Sequence, residues 1–162
     1  MIMTNKGRRT LRNLGAAAFI AGISALASTA AFANGCPANQ IGDNPLTDAQ
    51  TKPVGVTDTV LEQIDLSKEM VKLADHKLRI RRLVIQPGGV VPLHDHGDRP
   101  ALIYIVSGEI NEYASDCKVA IVHKAGDTSR DADLKHWWKN TSKKPVVLIS
   151  ADILHDPMDM NM

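Results

Sequence analysis

Aromatic side chains are scarce. They make up 4% of the 162 residues, and both phenylalanines, Phe19 and Phe32, fall within the first 33 positions. The core of the remainder must therefore be built from Val, Ile, Leu and Ala, with Trp137, Trp138, Tyr104 and Tyr113 as its aromatics. Acidic residues are absent from positions 1–33, which hold four of the 19 basic residues. Cysteine is limited to Cys36 and Cys117, and neither sits in a Cys-x-x-Cys or Cys-x-His setting. That disfavours a redox or metal-binding thiol pair. Long helical periods, internal repeats and low-complexity tracts are also missing.

The first 33 residues read as an export leader. Lys6, Arg8, Arg9 and Arg12 form a basic head, and an uncharged Ala- and Gly-rich run follows from Asn13 to Ala33. It ends in Ala31-Phe32-Ala33, a small-x-small pattern suited to cleavage before Asn34. The run is too weakly apolar for a good membrane anchor. Arg8-Arg9 is compatible with a twin-arginine signal as well as an ordinary one. The expected location is periplasmic or secreted.

Taking 33 residues from 162 leaves 129, enough for one domain. The mature charge is 15 basic against 18 acidic residues, or −3 with His neutral. This excludes an obvious nucleic-acid or anionic-membrane surface. In an exported chain the even cysteine count favours a Cys36–Cys117 disulfide.

Residues 34–53, rich in Asn, Asp, Gly and Pro, read as an extended arm. Short strands are expected at Val54–Leu66, Leu78–Gln86, Ala101–Val106, Glu109–Tyr113, Val119–His123 and Val146–Ala151. Turn signals separate them, and Pro87-Gly88-Gly89 is expected to stop the second. Arg79, Arg81 and Arg82 read as a solvated strand face. Many short strands at close spacing predict an all-β sandwich or barrel over residues 54–162.

The most chemically informative stretch is Gly88–Gly108, which contains His94 and His96. Alternate residues of an extended strand share a face, so this pair aims two imidazoles at one point. Neutral imidazole is the commonest metal ligand. Asp98 shares that face if the strand stays extended, which makes it a candidate fourth ligand. Arg99 is a candidate two-pronged clamp for a substrate carboxylate, or a loop arginine paired with Asp95 or Asp98.

The pattern resembles the cupin superfamily. Gly88, His94, His96 and Gly108 match its first motif, and Gly126, His136 and Asn140 match its second, looser one. Two departures stand out. Ala101 occupies the position of the family's metal-binding Glu, and the Pro-x-Gly turn of the second motif is missing. The resemblance implies a single cupin-type double-stranded β-helix, a jelly-roll-like barrel, with His94, His96 and His136 as metal ligands. Trp137, beside His136, is then a candidate for covering the metal mouth and touching substrate. The implied cofactor is one divalent ion among Fe, Mn, Zn, Ni and Cu, with iron favoured because the three-histidine set is similar to that of thiol dioxygenases and diketone-cleaving cupins. Cupins commonly pair through exposed strands, which implies a homodimer.

Three imidazoles leave a divalent ion its full formal charge and open positions. Such a centre favours an anionic chelating ligand with room for dioxygen. The leading functional expectation is therefore a non-haem metal-dependent dioxygenase of a small anionic substrate. The alternatives are a metal-dependent isomerase or hydrolase, and a non-catalytic periplasmic metal or small-ligand binding protein.

Overall fold

The structure, a computed structural model, describes residues 35–155; the leader read at positions 1–33 lies outside them. Eight strands dominate: β1 (Val54–Asp65), β2 (His76–Asp95), β3 (Ala101–Ser107), β4 (Glu109–Ala114), β5 (Ile121–Lys124), β6 (Thr128–Asp131), β7 (Lys135–Lys139) and β8 (Val146–His155). They form one antiparallel sheet in the order β5-β4-β7-β2-β8-β3-β6, with β1 also paired to β2. The sheet curls into a nearly closed barrel, in agreement with the expected all-β cupin-type fold.

Inward and outward residues alternate along each strand, as the pleat requires. On β3, Ala101, Ile103 and Ile105 are buried while Leu102, Tyr104 and Val106 are exposed. Opposite them, Val146 and Leu148 of β8 and Leu83 and Ile85 of β2 complete an aliphatic core, joined by Val91, Ile110 and Trp138. Of the four aromatics expected in the core, Trp138 alone belongs to this cluster, and Tyr104 is exposed.

Strand β2 corrects two sequence expectations. It does not stop at Pro87 but runs for 20 residues. Its first half, His76–Ile85, pairs with β8, and its second half, Val90–Asp95, pairs with β7. The switch occurs at a bulge where Gly88 adopts φ +74°, a backbone region costly for other residues. At Gly89 a Cβ would lie 2.7 Å from both the Gln86 carbonyl oxygen and the Ile85 side chain. The two glycines bend the strand rather than end it. Asn140 locks the bend: its main chain exchanges hydrogen bonds with Gly88 and Gly89, and its side chain donates to the Ile85 carbonyl.

The second correction concerns the arginines. Arg79 and Arg81 point inward and are buried, whereas Leu78 and Ile80 are exposed, so the expected phase is inverted. The reason is ionic. Asp152 on β8 also points inward; Arg79 grips it with two bonds, at 2.7 and 3.0 Å, and Arg81 lies 3.3 Å away. Arg81 also donates to Asp58 of β1 at 2.5 Å. Of the three, Arg82 alone keeps the expected exposed position.

The arm at residues 35–53 contains one 3-10 turn, Ala38–Gln40. It is tied to the β4–β5 loop by the Cys36–Cys117 disulfide, a bridge between residues 81 apart in sequence. Asn44 reinforces the junction by donating to the Cys117 carbonyl at 2.9 Å. Loop-closure entropy alone gives such a bridge about 4 kcal/mol of stabilisation.

Candidate metal centre

The three histidines named by the sequence converge. His94 and His136 are direct cross-strand partners on β2 and β7, so their side chains share one face. His96 lies two residues beyond His94, and its main chain continues the pairing through bonds with Leu134 and Asp133. The ring centroids form a nearly equilateral triangle with sides of 4.5, 4.7 and 4.8 Å. His96 and His136 are buried and His94 is half-buried.

Each ring is anchored through Nδ1. His94 donates to the Pro92 carbonyl at 2.7 Å, His96 to the Arg99 carbonyl at 2.6 Å, and His136 to Glu112 Oε1 at 2.6 Å. Carbonyl and ionised carboxylate oxygens only accept, so each Nδ1 carries the proton. The three Nε2 atoms therefore present lone pairs. Two of them, on His94 and His136, stand 3.0 Å apart, and that of His96 is buried without a hydrogen-bond partner. Trp138 Nε1, a donor only, points at His136 Nε2 from 3.4 Å. Facing lone pairs repel unless a cation or proton sits between them. A divalent ion with imidazole ligands fits this donor set.

Protonation is disfavoured at two of the rings. Burial, then the neighbouring His136, drives the His94 pKa down to about 2. The same causes in the same order lower His96 to about 4. The Arg99 charge adds to both effects. These rings stay neutral and ready to ligate at ordinary pH.

Sequence reasoning missed two residues. Glu112 on β4 is buried and uses both oxygens, one for His136 and the other for His123 Nε2 at 2.7 Å. Burial alone would raise its pKa, but the bonds from His123 and His136 outweigh that and bring it to about 2. Asp131, the last residue of β6, is 1% exposed. Its Oδ1 accepts from Ser129 Oγ at 2.6 Å, while Oδ2 has no hydrogen-bond partner and lies 3.8 Å from His136 Nε2. Burial raises its pKa to about 6, against the pull of His136. A signal for Glu112 existed in the strand phase, since it alternates with Ile110 and Ala114 on the inner face. Nothing local marked Asp131.

The other expected site residues fall elsewhere. Asp98 is exposed and joins neither group of closely spaced metal-binding atoms found among the described residues. Arg99 is 1% exposed and holds His96 through its carbonyl, but its side chain does not line the cavity at the three histidines. Trp137 stacks on Tyr113, with centroids 4.2 Å apart and planes within 9°. Its neighbour Trp138 lines the cavity instead, with Arg81, Leu83, Val91, Ile103, Asp131, Leu148 and Ser150. That cavity has a volume of about 30 Å³. A second cavity of about 620 Å³, beside His76 and the β1–β2 turn, contains none of the three histidines.

The family that matches is the cupin domain, over residues 81–152. Those residues are a cupin domain. No curated protein matches the chain in sequence. Among solved structures, the domain is similar to KdgF from Halomonas sp., at 15% identity and a TM-score of 0.49, covering 64% of this chain and 84% of that one. It is also similar to a predicted oxalate decarboxylase from Thermotoga maritima, at 22% identity and 0.45, covering 66% and 94%. The cupin domain of Cnp3 from Schizosaccharomyces pombe matches at 14% identity and 0.48, covering 67% and 72%.

Proposed function

We propose that His94, His96 and His136 hold one divalent transition-metal ion, iron foremost, and that the cupin domain is a non-haem metal-dependent dioxygenase of a small anionic molecule. The observation that carries this reading is the shared tautomer: three Nδ1 protons are tied to fixed acceptors, so three Nε2 lone pairs face one point. When bound, the ion would supply Lewis acidity and redox chemistry toward dioxygen and a chelated substrate. The chain's own residues orient and shield. Leu83, Val91, Ile103, Leu148 and Trp138 line the cavity with apolar surface. Arg81, whose terminal nitrogens are held by Asp58 and Asp152, reaches the cavity wall with an Nε–H that has no hydrogen-bond partner, a donor suited to an anionic ligand.

A second reading, a non-catalytic metal or small-ligand binder, is favoured by the cavity volume. About 30 Å³ accommodates about two waters and no larger substrate without movement. Metal analysis of the mature protein tests the shared premise. About one divalent ion per chain is expected, and His96→Ala abolishes it; unchanged occupancy refutes the site. Oxygen uptake by the iron-loaded protein with small thiols, diketones and hydroxy acids then separates enzyme from binder.

The protein is read as exported to the periplasm or beyond. Its disulfide is consistent with a non-cytoplasmic location. It is also read as a homodimer. Leu78, Ile80, Leu102, Tyr104 and Val106 form an exposed apolar face on β2 and β3, which flank β8. Such a face supports that reading.

A further inference from the structure

We propose that Asp131 supplies a fourth, anionic ligand to the metal centre, delivered from β6. This rests on the three-histidine reading above. Asp131 Oδ2 is buried, has no hydrogen-bond partner, lines the same cavity as the three imidazoles and stands 3.8 Å from His136 Nε2. The other oxygen is held by Ser129 Oγ, which fixes the carboxylate and leaves Oδ2 as its free end. A buried carboxylate oxygen with no partner is costly unless a cation or donor compensates it. The three facing imidazole lone pairs have the same need; Asp131 lies close to His136 rather than to all three rings, so one divalent ion answers both once the carboxylate closes on it from the His136 side.

The strand register says why the carboxylate comes from this position. Asp131 is the direct cross-strand partner of Ala101, and both are buried on the inner face. Ala101 is where the family resemblance places a metal-binding Glu. The small methyl at 101 leaves room for the Asp131 side chain opposite, so the negative group has moved across one strand pair. Glu112 does not compete for the role. Although it lies near Asp131 and His136, both of its oxygens are committed to His136 and His123.

The test is metal affinity by chelator competition, with Zn²⁺ and Co²⁺ as probes, on the full mature protein. Asp131→Asn is expected to weaken binding 10- to 100-fold or more and to change the visible spectrum of the Co²⁺ form. Adding Ala101→Glu to that variant is expected to recover most of the affinity. Unchanged affinity and an unchanged Co²⁺ spectrum in Asp131→Asn overturn the proposal, provided that His96→Ala still abolishes binding. If His96→Ala also binds normally, the three-histidine reading itself has failed. Should Asp131→Asn not fold, a crystal structure of the Zn²⁺-loaded wild type decides. An Oδ2–metal distance of about 2.0–2.2 Å supports the assignment, and one beyond about 3 Å overturns it.

Discussion

Replacing Glu112 with Gln is the sharpest probe of how the ligand tautomers are held. The side chain keeps its shape but exchanges two acceptor oxygens for one acceptor and one donor. Glu112 now accepts from His136 at 2.6 Å and from His123 at 2.7 Å, so only one of those bonds survives unchanged. If the amide oxygen faces His136, its NH2 faces His123 Nε2 and the His123 proton moves to Nδ1. That atom is already buried without a hydrogen-bond partner, so the shift exchanges an unpaired acceptor for an unpaired donor. If the amide turns the other way, the His136 proton is driven to Nε2, where it blocks the ion. The first orientation keeps the His136 tautomer but gives it a neutral acceptor in place of a charged one, the second blocks the ion, and both weaken metal binding. Loss of such an orienting carboxylate lowers affinity about 10- to 100-fold, or about 1.4 to 2.7 kcal/mol. Chelator competition on folded Glu112→Gln protein measures this directly. Affinity within twofold of wild type refutes the argument that the charged Glu112 carboxylate strengthens the site through His136.

Three further outcomes are expected. The metal-free protein loses stability as pH falls below 6.5. His96 and His94 have folded pKa values of about 4 and about 2, below the ordinary 6.5, so the unfolded chain takes up protons first. Their contribution is complete above pH 6.5 and is lost on descent through those folded values; Glu112 adds a second loss from 4.5 down to about 2. For His96 alone the change is on the order of 3 kcal/mol, and denaturant titrations giving equal stability at pH 7 and pH 4 contradict it. Mass spectrometry of the exported protein should find a chain beginning near Asn34, and a chain retaining Met1 there refutes cleavage. Sedimentation should show a dimer that Leu102→Glu shifts toward monomer, because the charge lands on a side chain that is 63% exposed in the apolar face; a monomeric wild type removes the interface.

The strands carrying regular alternation were legible because one face is apolar and the other polar. Ala101–Val106 and Glu109–Tyr113 were placed within a residue of β3 and β4. Strands β6 and β7 were not foreseen. Thr128–Asp131 is polar throughout, and its inward residue is a carboxylate, so periodicity carries no signal. Arg79 and Arg81 misled for a related reason: their partner Asp152 is 73 residues from Arg79 and becomes a neighbour only through the β2–β8 ladder. His94 and His96 announce themselves by spacing. The role of Glu112 depends on where β4 meets β7, and that of Asp131 on where β3 meets β6, neither of which any local pattern encodes.

Because His94 and His136 face each other as ladder partners, a shared ion would bear on strand alignment as well as chemistry. A slip of β7 by a single residue would swing His136 to the opposite side of the sheet and leave two nitrogens where three had met. Occupancy would thus rivet β7 to the far half of β2, where the ladder already carries an irregularity between Val91 and His94. Loading the site would hold the middle of the sheet in register.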